Sequence, residues 1–157
     1  MSATILIAGV GNIFLSDDGF GVAVADRVRD EPLPAGVKVA DFGIRAVHLA
    51  YELMNGYDGL ILIDAVARNG PPGTVYVIEP DLEALKDPAL DAHSMSPDTV
   101  FSLLKSFGIE LKQVYVVGCE PADLGDGMDL SPAVAAAVGG ATDVVRDLAL
   151  KMLAERG

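Results

Sequence analysis

Residues Thr4 to Gly21 read TILIAGVGNIFLSDDGFG, and this stretch decides the architecture. Thr4–Ala8 is an apolar, β-branched run that predicts a buried strand. Glycines at 9 and 11 then predict a tight turn, and a helix is expected from about Asp18 to Arg29. The turn begins like a phosphate cradle but ends in two carboxylates, Asp17 and Asp18. Two like charges ~4 Å apart repel by about 4 kcal/mol at an effective dielectric of 20, which disfavours an anion there. Phe14 also stands where the third glycine of G-x-G-x-x-G belongs. Helix capping is the plain structural reading for the acid pair, and one acid suffices for it.

The rest of the chain repeats the strand-then-helix rhythm. Val37–Phe42 predicts a strand and AVHLAYELM (46–54) a helix. GLILIDAV (59–66) is the most apolar strand, buried on both faces if the sheet is parallel. TVYVIEP (74–80) suits a hairpin partner or an edge strand. Pro80–Ser96 is irregular, Pro97–Phe107 is a helix and QVYVVG (113–118) a further strand. The closing helix starts at Ser131 as N-cap with Pro132 in its first turn, and Gly139-Gly140 marks a bend. This alternation predicts one domain over 1–157. The expected architecture is a three-layer α/β/α fold, with a mostly parallel twisted sheet of about five strands and helices on both faces.

Composition narrows the function. The 157 residues carry 23 acidic against 11 basic side chains, a formal net charge of −12. No basic cluster is available for a nucleic-acid backbone. One cysteine, Cys119, excludes a disulfide framework or a Cys-rich zinc site. No apolar run approaches the length of a bilayer span, and the start lacks the pattern of a signal peptide, so a cytoplasmic protein is expected.

In such sheets ligands bind at the carboxyl ends of the strands. The strand ends supply Asn12, Asp17 and Asp18, then Asp41, then Asp64, then Cys119 and Glu120, with His93 and Ser94 in the irregular segment. Asp64 is the hardest to dismiss, because a carboxylate closing a buried strand needs a hydrogen bond, a counter-charge or a metal. Two carboxylates and an imidazole suit a borderline divalent cation such as nickel or zinc. Asp41 could imitate a ribose-binding acid, His48 reads as a surface residue of a helix, and Cys119 as a small buried hydrophobe.

At these residues the chain resembles the hydrogenase maturation endopeptidases, cytoplasmic proteases that remove a C-terminal extension from the large-subunit precursor of nickel–iron hydrogenases. GVGNIFLSDDGFG, the IDA after the third strand, the histidine of DAHSMSP and EPADLGDGMDLSPAV occur in that family's order. The resemblance implies metal ligation by Asp18, Asp64 and His93. It implies catalytic roles among Asp18, Asp41 and Asp64, with Asp41 near the substrate. The metal would be nickel carried in by the precursor, with zinc or cadmium as substitutes in crystals. A monomer that binds neither nucleic acid nor membrane is expected. One departure is DFGIRAV, where many members have D-x-G-T: Ile44 and Arg45 replace a hydroxyl with a cation. The rival readings are a non-catalytic metal- or nucleotide-binding module and a metal-dependent small-molecule hydrolase.

Overall fold

The computed structural model describes residues 4–82 and 96–155. Five strands make one sheet: β1 (Ile5–Val10), β2 (Val37–Gly43), β3 (Gly59–Ala65), β4 (Val75–Ile78) and β5 (Gln113–Cys119), in the order β2-β1-β3-β5-β4. All neighbours are parallel except β4, which runs antiparallel to β5 with Val75 opposite Cys119. TVYVIEP is therefore an edge strand, and only four of its residues pair.

Period-two alternation in the central strands builds two cores. Ile5, Ile7, Ile61 and Ile63 face α1 (Phe20–Arg29) and α4 (Pro132–Ala154), through Phe20, Val24, Val138 and Val145. Leu6, Ala8, Leu60 and Leu62 face α2 (Ala46–Leu53) and α3 (Pro97–Ser106), through Leu49, Leu53, Val100 and Leu104. Helices on both faces of the sheet make three layers, as the alternation predicts. β3 is buried on both faces from Gly59 through Asp64, as a central parallel strand must be.

The first helix departs from expectation in an informative way. Ser16–Gly19 form a single 3-10 turn, and α1 begins only at Phe20. Ser16 has φ 50°, a left-handed backbone that a continuous α-helix cannot contain. Neither the turn nor α1 has a side-chain cap, so Asp17 does not cap its own helix. Gly21 lets α1 lie directly on the sheet, because a Cβ there would collide with the Ile63 and Val10 carbonyl oxygens.

The expected bend at Gly139-Gly140 does not interrupt α4, which is one helix across those residues. Ser131 sits at its N-cap position with extended backbone, yet its hydroxyl makes no cap bond. At α3 the cap does form, weakly: the Thr99 N–H donates to the Ser96 hydroxyl at 3.4 Å, with Pro97 in the first turn. β1 sends the chain to β2 on one side and lies beside β3 on the other. The loops after β1 and β3 therefore part at the carboxyl edge and leave a crevice between them.

Candidate active site

That crevice is where the acids were expected. A cleft of about 400 Å3 opens there, lined by Asn12, Asp18, Asp64, Ser96, Pro121 and Leu124 among others. A slightly larger cavity of 440 Å3 beside α3, lined by Leu82, Phe101 and Leu104, holds neither carboxylate.

Asp64 is the penultimate residue of β3 and is 2% exposed. Among the hydrogen bonds of the described residues its carboxylate has one donor, the Ala65 N–H at 2.8 Å on Oδ1. Burial pushes this carboxyl well above the usual carboxylate range, the Asp18 charge adds to the rise, and the Ala65 N–H opposes it. Asp18 lies in the turn after β1, where its Oδ2 accepts the Asn12 N–H at 2.7 Å. Asn12 Oδ1 in turn accepts the Phe14 N–H at 2.9 Å, which sets the turn. Gly11 makes this possible: its φ is +127°, and a Cβ there would collide with the Asp18 carbonyl oxygen. A buried carboxylate with so few donors, facing a second carboxylate across a cleft, favours a cation or a shared proton.

The other expected residues are placed differently. His93 lies outside the described residues. Among those described, no three His, Cys, Asp or Glu side chains gather as a metal-ligand set. Asp41 is in β2, on the far side of β1 from β3, and lines an adjoining cleft of about 290 Å3 with Phe14 and Arg45. Its carboxylate lies 3.4 Å from Arg29 Nη2. Asn12 and Ile44 are common to both clefts, so Asp41 stands next to the Asp18–Asp64 crevice rather than in it. Arg45 rests its guanidinium on backbone, donating to the Phe42 and Asp41 carbonyls at 3.2 and 3.3 Å.

Glu120, grouped with the rim acids by its strand-end position, turns away from the cleft. Its Oε1 accepts the Arg68 and Gly70 N–H groups and the Tyr76 hydroxyl at 2.7–2.9 Å. These donors, Gly70 foremost, hold its carboxyl below the usual range despite burial. Cys119 is fully buried, and burial pushes its thiol up to about 11, with the Asp17 and Glu120 charges adding to the rise. A thiol so protonated is no nucleophile at neutral pH. His48 is exposed on α2, as expected.

Comparison with known proteins places the chain in a family. The family model described as HycI: Hydrogenase maturation protease matches residues 22–147. This chain belongs to the hydrogenase maturation proteases. The Hydrogenase 2 maturation protease of Escherichia coli is 31% identical over 137 residues, covering 85% of this chain and 83% of that protein. The hydrogenase expression/formation protein HupM of Azotobacter chroococcum is 32% identical over 160 residues, covering 99% and 74%. The solved hydrogenase maturating endopeptidase HybD from E. coli superposes with a TM-score of 0.75 at 31% identity, covering 98% of this chain and 94% of that one. The maturation protease is thus a hydrolase, an endopeptidase, and the nucleotide-binding reading is set aside. None of its described helices is long and apolar enough to cross a membrane.

Proposed function

We propose that this protease removes the C-terminal extension of a nickel–iron hydrogenase large-subunit precursor after nickel has been inserted. The observation that carries the reading is the pair Asp18 and Asp64, two carboxylates facing one crevice at the sheet's switch point. Nickel arrives in the precursor, held by the precursor's own ligands. Asp18, Asp64 and His93 complete its coordination and so bring the scissile bond into register. The metal serves as a recognition handle, with zinc or cadmium as possible stand-ins of similar ligand preference. Asp41, in the adjoining cleft, contacts the peptide on the β2 side and assists its placement or the cleavage chemistry.

Membership of the maturation proteases supports the reaction class, and the weak donor set around Asp64 supports a visiting cation. An acidic protein of net charge −12 also attracts a cation-bearing substrate. The protease acts as a cytoplasmic monomer, with neither nucleic acid nor membrane as partner. Incubation of the enzyme with nickel-loaded precursor, read by intact mass spectrometry, tests this. Loss of one C-terminal peptide is expected with wild type and not with Asp18→Asn. Equal cleavage by both would remove Asp18 from the site.

A further inference from the structure

The segment joining β5 to α4 is an unlikely wall for a catalytic cleft. Every residue from Ala122 to Asp129 is exposed, and apolar packing holds the segment only at its end, where Leu130 rests against the core. Yet Pro121 and Leu124 line the cleft beside Asp18 and Asp64. What fixes the loop is polar and comes from the turn after β1.

Asp17 is 0% exposed. Its Oδ2 accepts the N–H groups of Ala122 and Asp123 at 2.8 and 2.9 Å and the Ser131 hydroxyl at 2.9 Å, while Oδ1 accepts the Ser131 N–H at 2.7 Å. One carboxylate thereby grips both ends of the loop. The backbone of the same turn grips the middle. Asp17 N–H donates to the Asp123 carbonyl, Ser16 N–H to the Gly127 carbonyl, and Gly127 N–H to the Phe14 carbonyl. The Ser16 hydroxyl donates to the Gly125 carbonyl at 2.8 Å. A carboxylate spent on capping would use N–H groups of its own helix; Asp17 uses none.

We infer that Asp17 is a positioning residue of the proteolytic site, whose buried carboxylate sets the 121–131 loop as the wall against which the precursor's cleavage segment lies. The inference rests on the precursor-processing reading of the cleft. Leu124 is 49% exposed and Met128 68% exposed, so the loop offers apolar side chains to an extended peptide passing the two acids. Asp18 has its own anchor, the Asn12 N–H, so loosening Asp17 releases the loop before it disturbs the acid. Loss of Asp17 therefore weakens peptide binding more than the chemical step.

The test is a kinetic cycle with the full-length enzyme and nickel-loaded precursor at varied concentration. Asp17→Asn keeps the shape but places an NH2 against N–H donors in either orientation. It is expected to raise KM roughly tenfold with kcat within about twofold. Leu124→Ala is expected to raise KM several-fold alone and to add nothing in the Asp17→Asn background, because a released loop no longer holds Leu124 against the peptide. If Asp17→Asn does not fold by circular dichroism, Ser131→Ala, which removes one of the four bonds, replaces it in the same cycle. A fall in kcat at unchanged KM, or KM penalties that multiply in the double variant, would overturn the inference. Wild type that leaves loaded precursor uncut would instead overturn the processing reading, and the inference with it.

Discussion

Asp17 and Ser131, 114 residues apart, meet through two hydrogen bonds, 2.7 Å from the Ser131 N–H and 2.9 Å from its hydroxyl. Ser131 stands at the N-cap of α4 but gives its hydroxyl to Asp17 instead of capping. The first turn and the last helix are thus joined through a carboxylate that is charged and dry. Burial works against that charge, and the N–H groups of Ser131, Asp123 and Ala122 outweigh it, holding the carboxyl below its ordinary range.

Removing that charge should cost more than a helix cap. Asp17→Asn is expected to destabilise the fold by about 2–4 kcal/mol, since buried donors are left facing a donor. A cap alone would cost about 0.5–2 kcal/mol. Urea unfolding at neutral pH measures the difference, and a loss under 1 kcal/mol would mean the network is far weaker than its geometry.

Asp64→Asn should separate function from stability in opposite directions. It removes a proposed metal ligand, so processing should fall below detection. It also removes a buried acid that has one donor among the described residues and whose ionisation burial and the Asp18 carboxylate oppose, so the melting temperature at neutral pH should rise. The sign follows from a folded-state pKa above the unfolded value: this group's contribution is intact below the unfolded pKa and is lost as pH rises from there through the folded one. A melting scan of both proteins checks it, and a lower melting temperature for the variant would contradict the buried-charge reading.

Glu120 should shape the acid limb of the stability curve. Its folded pKa lies below the ordinary 4.5, so its contribution is complete above that value and is lost as pH falls through the folded one. Glu120→Gln should be less stable than wild type at neutral pH, and the gap should narrow as the solution is acidified. A gap that widens instead would mean Gly70 and Arg68 do not stabilise the ionised form.

Cys119 should be chemically silent. With its thiol buried and pushed up to about 11, native enzyme should resist iodoacetamide and retain full activity, while denatured enzyme is labelled. Inactivation of the native enzyme in step with labelling would place the thiol in the mechanism.

The sheet and its layers were legible because local pattern carries them. Alternation in ILIA and LILI assigns each side chain to one of two cores, and Asp64 at the end of a buried strand signals itself by its cost. Asp17 was not legible. Its partners lie more than a hundred residues away, and local reasoning offers only a cap. Asp41 and Glu120 show a different limit. Both stand at strand carboxyl ends, but strand order puts Asp41 beyond β1, and the donors of Arg68 and Gly70 turn Glu120 inward. Position along a strand shows that an acid reaches the rim, not which crevice it enters.

On the proposed function, Asp18 and Asp64 await a cation carried by the substrate. The direct measurement mixes metal-free enzyme with precursor that is either loaded with nickel or stripped of it, and follows the C-terminal peptide by mass. A coupling of ~3 kcal/mol between metal and substrate would change apparent affinity by roughly 150-fold. Rapid release from the loaded form and none from the stripped form is expected. Equal release from both would show that these carboxylates do not read nickel.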